Sequence, residues 1–231
     1  MKLLALDTSS VACSVALQID DEVTERHEEQ PREHTRLLIP MIESVLQHGG
    51  VRIDELDAIV LGNGPGSFIG MRIAASVAQG LAFGAGLNIV PVSSLAAVAA
   101  QVFAEHDAVE TVVTQDAHMH EVYLGIYCRG DDDAPVPVVP ERLQTSSSIA
   151  ELDGERHGPR VAAGFGWHRY PELLAANHSL FDAVVDVCHP RAKFLLPLGA
   201  SGLDGGAAIP PADISPAYLR QKVAEKPAPT P

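Results

Sequence analysis

Positive charge is scarce in this sequence. Only four lysines occur in 231 residues, Lys2, Lys193, Lys222 and Lys226, and 30 Asp plus Glu outnumber 16 Lys plus Arg, for a formal charge of −14. A protein that grips nucleic acid unaided shows a basic stripe, because phosphate neutralisation dominates its affinity. No window here is rich in Lys and Arg, so any nucleic acid is expected to be held by another subunit. Anionic membrane surfaces are disfavoured on the same ground. Cysteine is scarce as well. Cys13, Cys128 and Cys188 are odd in number and lie far apart without a C-x-x-C pair, which argues against a disulfide framework and a zinc ribbon. Long apolar runs are missing too. The first turns polar at Asp7, too early for the apolar region of a signal peptide, and the others are broken before the ~18 residues that a membrane span needs. These absences predict a soluble, cytoplasmic protein with no membrane partner.

What is present is an adequate core composition, 46 % apolar and 20 % charged residues, which excludes global disorder. Residues 3–6 and 13–17 read as two strands around the polar turn Asp7-Thr8-Ser9-Ser10. Residues 32–47 have helical spacing, with Gly49-Gly50 as the stop and Pro40 predicting a kink or a helix start. A strand over 57–61 leads into Gly62-Asn63-Gly64-Pro65-Gly66, after which Ser67 is a fair N-cap for a helix to about Phe83. Val90–Val92 is a further short strand, and Ser93 or Ser94 can cap a helix over 95–105. The opening pattern then returns. Residues 111–115 form a strand ending at Asp116, 116 − 7 = 109 residues after Asp7, and the next strand starts six residues after each aspartate, at Cys13 and at Val122. Two like hairpins, each opening one half of the chain, point to internal duplication. The halves are set at 1–104 and 105–225, with 226–231 as a disordered tail. Residues 130–160, with Asp131-Asp132-Asp133 and four prolines, read as exposed connections, followed by strands over 161–166 and 184–187.

The motifs exclude more chemistry than they support. The glycine loop is not a Walker A motif, because no Lys-Ser/Thr follows, and not G-x-G-x-x-G, because position 69 is Ile69. Its bland reading is a tight turn that lets the next helix lie close to something. Gly66, Gly70, Ala74, Ala78, Ala82 and Gly86 recur every four residues as one ridge of small side chains, suited to close helix packing. That partner is either the helix over 32–47 or another subunit. Asp7 and Asp116 have the placement of acidic residues in the paired hairpin turns of actin and sugar-kinase enzymes, which hold a metal–nucleotide. The other parts of a phosphoryl-transfer site are not recognisable, with Lys and Arg scarce near both turns. His118-x-His120 is the tightest histidine pair, sharing one face if on a strand, but there is no H-E-x-x-H. Ser67 lies in Gly-x-Ser-x-x-Gly, not in a nucleophile elbow.

Leu4-Ala-Leu-Asp-Thr-Ser-Ser10 with Cys13-Ser-Val-Ala-Leu17, Arg32-Glu-His-Thr35, Gly64-Pro-Gly-Ser-Phe-Ile-Gly70 with Met71-Arg-Ile73, Glu121-Val-Tyr123, Gly164-Phe-Gly-Trp167 and Ala217-Tyr-Leu-Arg220 resemble the TsaB (YeaZ) family over nearly the whole chain. The resemblance implies an α/β, duplicated actin-like (ASKHA, ribonuclease H-like) fold of two small subdomains. It implies a non-catalytic partner of TsaD, the subunit that transfers threonylcarbamoyl to the adenosine beside the anticodon of ANN-reading tRNAs. TsaE joins the assembly, and the family also forms homodimers. The catalytic subunits' His-x-x-x-His metal pair is missing, so no catalytic residue and no metal ligand are assigned. No cofactor is assigned to the chain alone, with ATP or ADP left open for the complex. The expected partner interface is Leu38, Met41, Ile42, Val45, Gly70, Met71, Ala74, Ala78 and Ala82. The degenerate nucleotide cleft is expected at Asp7, Thr8, Ser9, Ser10 and Asp116. Ile69, Asn63 and His118 depart from the family, which usually has Thr at the first of these, often has Arg at the second and tends to Arg at the third.

Overall fold

The computed structural model describes residues 1–145, 147, 149 and 158–220. The 226–231 tail expectation lies outside the described residues. Leu3 to Leu6 are completely buried, because the strand they belong to, β1 (Lys2–Asp7), sits at the centre of a five-stranded sheet. It pairs antiparallel with β2 (Ala12–Ile19), which pairs with β3 (Glu22–Glu29), and parallel with β4 (Ala58–Gly62), which pairs with β5 (Ile89–Val92). The order is β3-β2-β1-β4-β5. A central strand covered on both faces reads as a continuous apolar run. The polar edge strand β3 carries no such run, which is why the sequence pattern omitted it.

The second half repeats this arrangement. β6 (Glu110–Asp116) pairs antiparallel with β7 (Glu121–Arg129), β7 with β8 (Pro135–Thr145), and β6 runs parallel to β9 (Arg160–Ala163), which pairs with β10 (Ala183–Val184). The order β8-β7-β6-β9-β10 matches the first sheet strand for strand. Part of the expected exposed connection over 130–160 is the long edge strand β8, whose prolines an edge position tolerates. The expected strand over 184–187 shortens to β10, and that over 161–166 becomes β9 followed by a short helix, α4 (Phe165–Arg169).

Alternation sorts the side chains of the first sheet onto its two faces. Leu4, Leu6, Val15, Leu17, Ile59 and Leu61 meet α1 (His34–Gly49) and α2 (Phe68–Ala85). α1 continues through Pro40, which sits on its exposed side, where the carbonyl that loses a helical partner can face water. All nine residues expected at a partner interface lie in this layer instead. Leu38, Met41, Ile42, Val45, Met71, Ala74, Ala78 and Ala82 are at most 7 % exposed, and Gly70 is buried. The small ridge from Gly66 to Ala82 is therefore an internal surface, with Gly86 alone of its members exposed: it lets α2 rest directly on the β1–β2 hairpin, where a Cβ at Gly70 would stand 1.9 Å from the Thr8 carbonyl oxygen.

The other face exchanges helices between the halves. α3 (Ser94–Glu105) belongs to the first half in sequence but packs Leu95, Val98, Val102 and Phe103 against Val113, Tyr123 and Tyr127 of the second sheet. Glu141 of β8 accepts hydrogen bonds from Ser93 and Tyr127, fixing that docking. In return α6 (Leu195–Asp204), unannounced by the sequence pattern, places Leu195 and Leu196 on Leu3, Ala5, Val60 and Val90 of the first sheet. The divisions 1–104 and 105–225 are thus not self-contained: each sheet is completed by a helix from the other half. The outer face of the second sheet buries Trp167 of α4 and Leu173 of α5 (Pro171–Asn177).

α2 has the length and mean hydropathy, 18 residues and 1.3, of a short membrane span. One side of it is core, and its Gln79 donates to the Pro211 carbonyl at 2.9 Å.

A Cβ at Gly199 of α6 would stand 2.3 Å from Val60 Cγ2, whereas one at Gly80 of α2 would meet nothing within 4 Å. Gly199→Val is expected to lower stability by about 1–3 kcal/mol through overpacking, and Gly80→Ala to raise it by up to about 1 kcal/mol. Urea midpoints at unchanged slope would check both signs.

Candidate functional site

The end of β1 delivers Asp7 into a turn that closes on itself. One carboxylate oxygen, Oδ1, accepts from the Ser9 N–H and the Ser9 hydroxyl, both at 2.8 Å. The other accepts from the Ser94 hydroxyl at 2.6 Å. Ser94 also accepts from the Gly64 N–H at 3.1 Å and donates its own N–H to the Gly64 carbonyl at 2.8 Å, tying the glycine loop to the same point. The loop comes this close because it lacks side chains: a Cβ at Gly62 would overlap Asp7 Oδ2 at 2.0 Å, and one at Gly66 the Ser9 carbonyl at 2.2 Å. Thr8 donates its hydroxyl to the Gly70 carbonyl at 2.7 Å, and the Ser67 N–H reaches the Ser9 carbonyl at 2.6 Å. His34 stands 3.0 Å from the Ser10 carbonyl. The α2 N-terminus is capped by its own Ser67 hydroxyl, which accepts from Gly70. The tight-turn reading of the glycine loop therefore holds: it seats the helix on the hairpin.

Asp7 is 1 % exposed. Burial, opposed by the hydrogen bonds from Ser94 and Ser9, pushes its carboxyl up to about 6.

The second turn is more open. Asp116 Oδ1 accepts from the His118 N–H and from the Tyr170 hydroxyl, both at 2.8 Å. Arg169 Nε lies 3.8 Å from its other oxygen. His118, Met119 and His120 all have positive φ, between 55° and 61°, so the histidine pair occupies a left-handed turn, not one face of a strand. Arg220 Nη2 donates to the Ala117 and His118 carbonyls at 2.8 and 3.3 Å and pairs with Glu121 at 2.5 Å. Cations remote in sequence thus reach this turn, correcting the expectation that Arg is scarce there. The segment carrying Arg220 is strapped to the first half. Asn63 Nδ2 donates to the Ser215 carbonyl at 3.0 Å, Ala217 N–H to the Asn63 carbonyl at 3.1 Å, and Arg72 Nε to the Tyr218 hydroxyl at 2.8 Å.

Between these parts lies a cleft of about 370 Å³, lined by Gly66, Ser67, Phe68 and Met71 of the first half, Asp116 to Met119 and Tyr123 of the second, and Tyr218 and Arg220 of the strap. Of the five residues expected in a nucleotide cleft, only Asp116 lines it. Asp7, Thr8 and Ser9 are buried behind the glycine loop, and Ser10 is partly buried in the turn. Neither aspartate belongs to a group of three metal-ligating side chains among the described residues. Ser94, Tyr170, Arg169 and Arg220 were not assigned to these turns from sequence. Ser94 alone had a local signal, since Ser93-Ser94 offered two caps for one helix and Ser93 takes that role.

Two copies of a mixed five-stranded sheet, each opening on an aspartate-ended hairpin and exchanging covering helices, define a duplicated actin-like fold. Comparison with known proteins is specific within that class. Residues 22–154 match the family described as TsaD, tRNA N6-adenosine threonylcarbamoyltransferase. The chain is 35 % identical to the tRNA threonylcarbamoyladenosine biosynthesis protein TsaB of Haemophilus influenzae, with 99 % of this chain and 98 % of that one covered. It is 34 % identical to TsaB of Escherichia coli, with 99 % of each covered. The solved structure of YeaZ from Pseudomonas aeruginosa superposes with a TM-score of 0.84 at 32 % identity, covering 94 % of this chain and 99 % of that one. The chain belongs to the TsaB (YeaZ) family of tRNA threonylcarbamoyladenosine biosynthesis proteins.

Because the folded state holds a proton on Asp7 up to about pH 6 while an unfolded aspartate releases it near pH 4, stability falls as pH rises between those values. Asp7→Asn removes that slope. Melting temperatures from pH 4 to 7 should converge at the acid end and drop more steeply for the wild type; parallel curves would contradict the burial.

Proposed function

We propose that this chain is a non-catalytic scaffold and activator that pairs with TsaD in transferring threonylcarbamoyl to the adenosine beside the anticodon of ANN-reading tRNAs. The observation that carries this reading is the state of the Asp7 turn. Its carboxyl accepts three hydrogen bonds from Ser9 and Ser94, is 1 % exposed and is covered by the glycine loop, so it is closed off from a metal or a reacting water in solvent. Such a chain serves the reaction through surfaces. The −14 charge leaves tRNA mainly to TsaD, and the protein works in the cytoplasm, where tRNA is modified.

The docking face moves from the buried ridge to the outer sides of the same helices. Phe83 is 84 % exposed and Ile39 41 %. Between α1 and α2 runs a groove of about 460 Å³, lined by Ile39, Ile42, Leu46, Ile53, Leu81 and Gly84 and rimmed by Glu43, Arg52 and Asp54. Of the nine residues first expected there, only Ile42 reaches it. An apolar centre with a charged rim suits a protein partner. TsaD and a second copy of this chain would compete for it, and TsaE would join the heterodimer.

A second reading, a nucleotide-responsive regulator or weak ATPase, draws on the cleft beside Asp116. ADP and ATP titrations with and without TsaD separate the two. Hydrolysis or tRNA modification by the purified chain alone would refute the scaffold role. Phe83→Asp is expected to weaken pairing with TsaD by at least about tenfold, ~1.4 kcal/mol, with an unchanged melting temperature. Unaltered co-elution would sink this docking face.

A further inference from the structure

A second cleft of about 370 Å³, sharing no lining residue with the first, lies where β3 of the first sheet faces the segment after β10. Its lining includes His27 and Glu29 of β3 and Asp186, Cys188 and His189 of that segment. Beside it, the ligand atoms of His168, Asp186 and Cys188 all lie within 4.8 Å of one another. Around a tetrahedral ion with bonds of about 2.0 Å to nitrogen and 2.3 Å to sulfur, ligand atoms stand roughly 3.3–3.8 Å apart. Rotation of the exposed His168 and Asp186 side chains is enough to close that difference.

The backbone behind these groups is already set. The Cys188 carbonyl accepts from Gln115 Nε2 at 2.7 Å and from the Phe165 N–H at 3.1 Å, and the Val187 carbonyl from the Gly164 N–H at 2.7 Å. These bonds lock the 186–189 segment onto α4, which carries His168. The Cys188 thiol points along the segment to its neighbour, donating to Asp186 Oδ1 at 3.5 Å.

An independent observation points to a ligand. His189 is only 8 % exposed and lines the cleft, yet its Nδ1 has no hydrogen-bond partner among the described residues. A buried imidazole nitrogen left unpaired is costly, and a bound ion or its water would satisfy it. The cation already in the cleft, Arg191, is engaged by Glu25 at 2.5 Å, so it does not neutralise Asp186 or Glu29.

We propose that His168, Asp186 and Cys188 bind a divalent transition ion of the zinc class, with His189 meeting it through a metal-bound water. Thiolate, imidazole and carboxylate together select a borderline-soft ion over magnesium or calcium. The ion would staple α4 to the 186–189 segment, at residues that line neither the cleft beside Asp116 nor the α1–α2 groove.

Cobalt(II) titration of the chelator-treated, full-length chain tests this. The wild type is expected to give a thiolate-to-cobalt charge-transfer band together with tetrahedral d–d absorption. Cys188→Ser should abolish the charge-transfer band. His168→Ala and His189→Ala should each weaken zinc, measured by competition with a chromophoric chelator, by at least about tenfold. Cys128→Ser should leave both signals intact. All variants should keep the metal-free melting temperature, apart from His189→Ala, whose site is buried. Absence of a cobalt–thiolate band in the wild type, or its survival in Cys188→Ser, overturns the proposal.

Discussion

Asp7 accepts three hydrogen bonds from two elements, its own hairpin turn and the first turn of α3, while Gly62 passes against it without a side chain. From this point the chain departs for the second sheet. Ser94 is the second partner of the carboxyl and the first residue of α3, so the path by which the halves are joined is anchored at the end of β1. The glycine loop, the four-spaced small residues of α2 and the Thr8–Gly70 contact all follow from the need to bring α2 onto the same turn. A charged group without solvent is costly, and this carboxyl sits nearer neutrality than an ordinary aspartate. The Asp7 turn is a structural joint between β1, the glycine loop and α3.

That joint also sets what α1 and α2 present to solvent. Because the small ridge is consumed in seating α2, what α1 and α2 offer outward is what lies between and behind the ridges: Ile39, Leu81, Phe83 and two glycines with open space above them. The large negative charge keeps solvated faces apart from polyanions, whereas this strip is apolar, with Phe83 its most exposed side chain.

Sequence reasoning recovered the central strands, the aspartate-ended hairpins and the duplication because those features are periodic and local. It missed β3 and β8 because edge strands need no buried face, and both are written in charged residues or proline. It missed α6 because that helix is covered by a sheet nearly two hundred residues earlier in the chain. The small ridge was visible as a packing surface, but spacing alone does not say which neighbour it packs on; the 1.9 Å approach of Gly70 to Thr8 does. The polar partners of Asp116 come from positions 169, 170 and 220, separations at which no local pattern carries a signal. The same holds for His168, Asp186 and Cys188, two of which are separated from the third by a whole helix and a strand.

The exchanged helices impose an order on synthesis. The face of the first sheet formed by Leu3, Ala5, Val60 and Val90 is sealed by Leu195 and Leu196, residues the ribosome adds 195 − 90 = 105 positions or more after the last of these strands. A nascent chain therefore carries an uncovered apolar sheet face until α6 has been made. Domains that complete themselves early do not share this exposure. Folding of the first half is obliged to wait for the second, and a message cut short before α6 would yield not half a working protein but a fragment with an open, adhesive side.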